Sequence, residues 1–310
     1  MVKHEIPANC ERGVSYFLLP LCLLAPFAKS KLNVLFTGPG VITSATEHGD
    51  ISVDTVRTAV LPYYANFGIM IERVEIRTIQ RSCPGAEGKG GAGQVQLIFE
   101  HQVRLPKTLH MLNRGRVKSV RGVAYAVGVS GANNARMIDS ARALLNQLVP
   151  DVRIFSENST APFIREDTGS SVGKRKTGVG FGLCLVAETS TGTRYSADVV
   201  APHGGGVAPE DIGRQAALQL FEVISRGGVV GQAAAPTVLI LMAMGPEDAS
   251  RISLGKDVLG TEEMIQMARD FRAFGLNDWG LRDMDDEGKE NEFVVVIKGS
   301  GVGNVGRKIA

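Results

Sequence analysis

The sequence predicts an α/β fold of the α+β kind, assembled from short βα units around more than one core. Three observations carry this. Segments with helical period alternate with segments of strand period along the whole chain. Hydrophobic residues make up 44% and charged residues 21% of the 310 positions, the balance of a chain that buries cores rather than staying disordered. A block of elements near the start and another near the end have similar size and order, which hints at repeated units. At about 100–200 residues per domain, the length accommodates two or three domains.

The first block opens on Tyr16–Phe27, YFLLPLCLLAPF, with Lys3 and Arg12 before it and Lys29 after it. It is too short to span a membrane, which takes roughly 20 apolar residues. Pro20 and Pro26 interrupt it. It reads as a buried helix entering a core, with a secretory signal peptide as the alternative. Leu32–Phe36 reads as a strand. A helix follows over Ser52–Phe67, where Val53, Val56, Val60 and Tyr64 recur at helical spacing, Pro62 bends it and Gly68 stops it. Ile71–Ile79 is a strand with Val74 and Ile76 on one face and Arg73, Glu75 and Arg77 on the other. The glycine-rich stretch Pro84–Gly93 then leads into the strand Val95–Phe99.

In the second block, Lys118–Ser130 alternates like a strand. Asn133–Leu148 is a helix with the apolar stripe Met137, Ile138, Ala141, Leu144, Leu145 and Leu148, closed by Pro150. Val152–Phe155 begins a strand, and Ser156–Thr177 reads as a polar loop. Phe181–Thr189 and Thr193–Val199 form a hairpin. Pro209 opens a second helix with Glu210 and Asp211 in its first turn, where carboxylates suit the helix dipole; Ile212, Ala216, Leu220 and Ile224 form its stripe, and Gly227–Gly228 ends it. In the third block, Thr237–Met244 reads as an apolar strand, Thr261–Phe274 as a helix, Met284–Asn291 as an acidic loop, Phe293–Lys298 as a strand, and Gly299–Gly306 as a glycine-rich end.

A net charge of +2 is too small for a chain that binds nucleic acid by bulk charge, so any such contact comes from local patches. Two patches qualify. Lys174, Arg175 and Lys176 form a run in the polar loop. Arg114, Arg116, Lys118 and Arg121 alternate along a predicted strand and so share a face. Either set suits phosphate contact; a solvated surface is the plainer reading of both. On the third-block helix, Arg269 and Arg272 flank Asp270, an arrangement suited to holding a phosphate and positioning a water, or equally to a surface ion-pair cluster.

Other chemistry is not spelled out. PGAEGKGGAGQV lies between two strands and lacks a GK[ST] step before a helix, so a mobile hairpin connection is preferred to a phosphate cradle. The histidines, His4, His48, His101, His110 and His203, form no ligand pair, and Cys10, Cys22, Cys83 and Cys184 match no zinc spacing. Neither a metal site nor a cofactor site is expected, and the cysteines read as scattered thiols of a reducing compartment.

Several long segments resemble the RNA 3′-terminal phosphate cyclase family, and within it the cyclase-like branch of eukaryotic ribosome biogenesis. They are Gly13–Phe27, Ser52–Ile69, Arg121–Leu145 (RGVAYAVGVSGANNARMIDSARALL), Gly180–Thr189 and Pro209–Gly228, in order over nearly the whole chain. The resemblance implies βα repeats like the C-terminal domain of translation initiation factor 3, with a smaller α/β domain inserted. It places cyclase-like repeat at 1–105, the insert at 106–225 and the last repeat at 226–310. It also implies that most of a first repeat is missing ahead of residue 1.

True cyclases of the family adenylylate a histidine in the last repeat; here no histidine follows His203. The family's P-x-G-G-G-E-V pattern is altered too, with Gln94 where an acid is common. Both departures fit the branch that does not cyclise RNA. What that branch implies is a nucleolar factor of the small-subunit processome that acts in early pre-rRNA cleavage. Its implied partners are a ribosome-biogenesis GTPase and pre-rRNA in its small nucleolar ribonucleoprotein setting, with no membrane. If the chain were itself the nuclease, Arg269, Asp270 and Arg272 are the residues expected to carry it.

Overall fold

The computed structural model describes residues 1–167, 172–276, 279–284, 291–301 and 303. The described residues hold three four-stranded sheets and a two-stranded hairpin. In the first unit, β1 (Val2–Glu5) pairs in parallel with β2 (Leu32–Thr37). A parallel pair needs a crossover, which α1 (Ser15–Leu24) and a 3₁₀ turn at Ala25–Phe27 supply. α1 buries Leu18 and Cys22 but exposes Tyr16 and Leu24, so the apolar run is a core-facing helix with one open side.

Ser52 caps the next helical segment, its hydroxyl accepting from the Thr55 N–H at 3.1 Å. The segment begins as α2 (Val53–Thr55), widens to a π turn over Val56–Val60, tightens to 3₁₀ over Leu61–Phe67, and stops at Gly68 with φ of 80°. Pro62 accounts for the irregularity: it has no N–H to donate, and its ring presses on the carbonyl one turn back. Val53, Val56, Val60 and Tyr64 are all buried, as their spacing predicts. β3 (Val74–Gln80) and β4 (Gln94–Phe99) pair antiparallel and complete the order β1-β2-β4-β3.

β5 (His110–Met111) follows, then a middle unit. Its elements are β6 (Val117–Val127), α3 (Ala132–Leu145), β7 (Val152–Ser159), β8 (Phe163–Asp167), β9 (Val172–Lys176), β10 (Gly180–Thr189), β11 (Arg194–Val200) and α4 (Pro209–Ser225). The sheet order is β11-β10-β6-β7, with α3 and α4 on one face over a core that includes Val120, Met137, Leu145, Leu183, Leu185 and Leu220.

The last unit continues with α5 (Ala235–Ala243), β12 (Ala249–Gly255), α6 (Lys256–Leu259), α7 (Glu262–Ala273), β13 (Trp279–Asp283) and β14 (Glu292–Lys298). β5 pairs in parallel with β12, which pairs antiparallel with β14, which pairs antiparallel with β13. This repeats the first unit's strand order and directions. The two outer units share one core, which runs from Leu18, Phe36 and Tyr64 to Val238, Leu254 and Ile297.

Several expectations are corrected. Thr237–Met244 is helix, not strand. A continuous apolar run carries no period, and Pro236 in the first turn with burial on nearly all sides makes it a core helix. Where it is described, Ser156–Thr177 is largely strand: β7 runs on to Ser159 and β8 pairs with β9, so Lys174–Lys176 lie on a strand, while residues 168–171 lie outside the described residues. Leu148 falls beyond the end of α3 and is exposed. β12 and β13 were not anticipated. His110 and Met111, placed by sequence in the inserted domain, contribute a strand to the last unit's sheet. Residues 285–290 of the acidic loop, and 302 and 304–306 of the glycine-rich end, lie outside the described residues. No helix among the described residues is long and apolar enough to cross a membrane.

Candidate functional site

α7 places Arg269, Asp270 and Arg272 on its exposed side while Met264 and Phe271 point inward. Asp270 accepts a hydrogen bond from Gln266 at 2.9 Å, one turn back. Arg269 and Arg272 border a cavity of about 360 Å³ whose other walls include Leu239, Met267, Trp279 and Ile297. The two arginines thus stand at the rim of an apolar groove. That is a surface suited to gripping a partner; among the described residues no hydrogen-bonded pair of acid and base is assembled around Asp270.

The second basic set is largely neutralised. Arg114 lies 3.2 Å from the buried Glu292, Lys118 lies 3.2 Å from Glu188, and Arg121 donates to Asp151 at 2.6 Å. Arg114 and Arg116 precede β6, and on β6 the three-residue step from Lys118 to Arg121 puts these two on opposite faces, so the shared strand face expected of the set does not form. Lys174, Arg175 and Lys176 are exposed on β9, where strand alternation puts Lys174 and Lys176 on one side and Arg175 on the other.

The glycine-rich loop is pinned, not mobile. The N–H groups of Gly90, Gly91, Ala92 and Gly93 donate to the carbonyls of Cys10, Pro39, Pro39 and Val41 at 2.9–3.0 Å. Gly85 and Gly88 donate within the loop. A Cβ on Gly91 would stand 2.7 Å from two carbonyl oxygens, which is why glycine is needed there. Because these amides are spent on the protein, they are not aimed at an anion.

A cluster of buried charges sits where the middle unit meets the first. Arg81, 3% exposed, donates to Asp54 at 2.6 and 3.1 Å and to Glu157 at 2.7 Å, with its guanidinium 5.2 Å from the Tyr125 ring. Burial works against its charge, but the bonds to Glu157 and Asp54 outweigh that and hold its pKa above the ordinary value. Beside it, Asp198 accepts from the Ser52 N–H at 2.9 Å and from the hydroxyls of Ser52 and Thr55 at 2.8 and 2.5 Å. Burial nevertheless raises its pKa. A cleft of about 920 Å³ opens next to this junction, with Arg12, Tyr16, Asp50, Asp198, Glu222 and Arg226 among its walls. Its charges are mostly paired, Arg12 with Asp50 and Arg226 with Glu222.

Sequence reasoning missed Arg81, Asp54, Glu157 and Asp198. They come from four separate segments, and only the Ser52–Thr55 cap left a local trace. Burial pushes the thiols of Cys22 and Cys83 up to about 12 and raises that of Cys184 well above its ordinary value, so these three stay protonated. Among the described residues no three His, Cys, Asp or Glu side chains cluster as metal ligands.

Residues 112–225 match the family model for the RNA 3′-terminal phosphate cyclase (RTC) insert domain. The chain is 38% identical over 274 residues to the mouse RNA 3′-terminal phosphate cyclase-like protein, covering 87% of this chain and 67% of the relative. It is 32% identical over 309 residues to the rRNA processing protein RCL1 of Saccharomyces cerevisiae, covering 99% of this chain and 76% of that protein. The corresponding protein of Schizosaccharomyces pombe is also 32% identical, with 99% of this chain and 77% of that protein covered. The chain belongs to the RNA 3′-terminal phosphate cyclase family.

The family's insert-domain match begins at the residue after β5 and ends at the last residue of α4. It therefore coincides with the unit that carries its own sheet and its own core. For this family member, the buried Arg81 and Asp198 clusters join that unit to the first one, together with Ala59 packed on Cys184 and Val186 and the hydrogen bond from the Arg194 N–H to the Tyr63 hydroxyl.

Proposed function

We propose that this chain is a pre-rRNA processing factor that works by binding and does not cyclise RNA ends. The observation that carries the reading is its similarity, over 99% of its length, to two yeast proteins named for rRNA processing. Three features agree with it. No histidine follows His203, so the stretch that would hold the cyclase nucleophile offers no imidazole. The glycine-rich loop spends its amides internally. The α7 arginines rim an apolar groove, which suits a binding surface.

In finer terms, the proposed role is in the early cleavages leading to small-subunit rRNA, within the nucleolar small-subunit processome and in association with a ribosome-biogenesis GTPase. The outer units are read as repeats like the C-terminal domain of translation initiation factor 3, at 1–105 and 226–310. The domain between them, at 106–225, is read as inserted, a reading supported by the insert-domain match over residues 112–225. Lys174, Arg175 and Lys176 on β9 are proposed to contact RNA phosphates, and Arg116 is the member of the other basic set whose charge suits the same use.

Two experiments test this. Purified protein incubated with α-labelled ATP should carry no covalent adenylate; a labelled protein would make it a cyclase. Depletion in the source cells should raise uncleaved pre-rRNA and lower small-subunit rRNA. An unchanged precursor profile would overturn the processing reading.

A further inference from the structure

The middle unit's sheet is covered by α3 and α4 on one face, but on the other only in part. Strand register fixes which side chains share that second face. On β7 they are Arg153, Phe155 and Glu157, and directly opposite on β6 are Arg121, Val123 and Tyr125. On β10 the same face continues as Val186, Cys184 and Gly182. The central part is occupied: Ala59 packs on Cys184 and Val186, Arg81 stands over Tyr125, and Arg81 also holds Glu157. The corner formed by the edge strand β7 is left open, with Phe155 65% exposed and the Arg153 side chain 71% exposed.

The groups around the open ring are held in place. Arg121 and Arg153 sit directly opposite each other across the strand pair, where like charges repel. Asp151 bridges them, accepting from Arg121 Nη2 at 2.6 Å and lying 3.2 Å from Arg153 Nε. Arg121 is held further by bonds to the Val120 and Asp151 carbonyls. The trio keeps a net positive charge, and its contact with Arg153 is through Nε, not the outer end of that guanidinium. The corner therefore offers a flat ring on a rigid strand, one residue pair away from a fixed cationic pair.

A flat face beside a fixed cation matches a nucleotide: a base for the ring, its phosphate for the guanidinium. Every base has a π face, so stacking of this kind tolerates any sequence, but it needs a base that is not already stacked in a duplex. An acidic peptide would use the arginines and leave the ring without a partner. We infer that the Phe155 corner binds single-stranded RNA, with one base stacked on Phe155 and an adjoining phosphate held by Arg153 and Arg121. The choice of RNA as the strand rests on the processing role proposed above.

The test is fluorescence anisotropy of the full chain with a labelled, unstructured 12-nucleotide uridine RNA. Phe155→Ala should weaken binding by about 5- to 160-fold, the range for loss of one base stack. Phe155→Trp should restore it. Arg153→Ala should weaken binding and reduce the salt dependence by about one released ion. Because the ring is exposed, Phe155→Ala should keep the wild-type melting temperature, which separates lost stacking from lost folding.

Binding by Phe155→Ala within twofold of wild type would overturn the inference. So would the absence of saturable binding at low salt, or equal competition by duplex RNA or polyglutamate. If Phe155→Ala has no effect while depletion still blocks precursor cleavage, this site falls and the processing role stands. If the stack is confirmed but depletion changes no precursor, the processing role falls alone.

Discussion

Replacing Arg81 by methionine should be among the most destabilising single changes at the junction between the first and middle units. The side chain is 3% exposed, and it neutralises Asp54, whose side chain is 1% exposed. Removing one partner of a buried pair costs about 3–5 kcal/mol, because the other charge is left in a poor solvent. Asp54 keeps Arg57 at 2.9 Å, which places the expected loss near about 3 kcal/mol. Glu157, whose side chain is 45% exposed, can be rehydrated and adds little. Adding Asp54→Asn to Arg81→Met removes the stranded charge and should recover about 1–2 kcal/mol. Urea unfolding followed by circular dichroism gives the four corners of the cycle. Hydrogen exchange at residues 52–55 should rise in Arg81→Met as the Asp198 contacts loosen. A single variant within 1 kcal/mol of wild type, or a double variant as unstable as the two losses summed, would refute the reasoning.

Asp50 sets a pH dependence. Burial opposes its ionisation, but hydrogen bonds from Arg12, the Gly13 N–H and Thr46, with the charge of Arg12, outweigh burial and hold its pKa below the ordinary 3.8. A lowered carboxyl pKa stabilises the fold above the unfolded-chain value, and that stability is lost as pH falls through the folded value. Asp50→Asn should therefore lose about 1 kcal/mol at pH 7, with the deficit shrinking as pH falls below about 4. A deficit that stays constant to pH 2.5 would contradict this. Changing Arg269, Asp270 and Arg272 together to alanine should leave the melting temperature within a few degrees, since the side chains are exposed. It should also leave any cleavage of a pre-rRNA fragment by purified protein with Mg²⁺ unchanged. Loss of a wild-type cleavage product would instead make the cluster catalytic.

Elements that advertise themselves by period and cap were legible in the sequence. The buried stripe of α4, the proline and glycine that open and end it, and the Val53–Val56–Val60 spacing could be read directly. α5 could not, because a helix buried on nearly all sides has no polar face to set its period. β8 and β9 were hidden for the opposite reason: a polar hairpin has little hydrophobic alternation to give it away. Nor could spacing give the Arg81–Asp54–Glu157 cluster, whose members are brought together only by docking of the two units. Charge counting overstated the second basic patch, because Glu188, Asp151 and Glu292 that neutralise it lie far away in sequence. Phe155 was read as the end of a strand, and its meaning depends on which part of the sheet face the first unit leaves uncovered.

The proposed role has this chain act on pre-rRNA by binding it within a processing assembly. Crosslinking of the tagged protein in its own cells, followed by sequencing of the captured RNA, tests this most directly. Crosslinks should concentrate on the precursor of the small-subunit rRNA, at unpaired segments, and be thinned by Phe155→Ala. Captured RNA no richer in pre-rRNA than that from a tag-only control would contradict it.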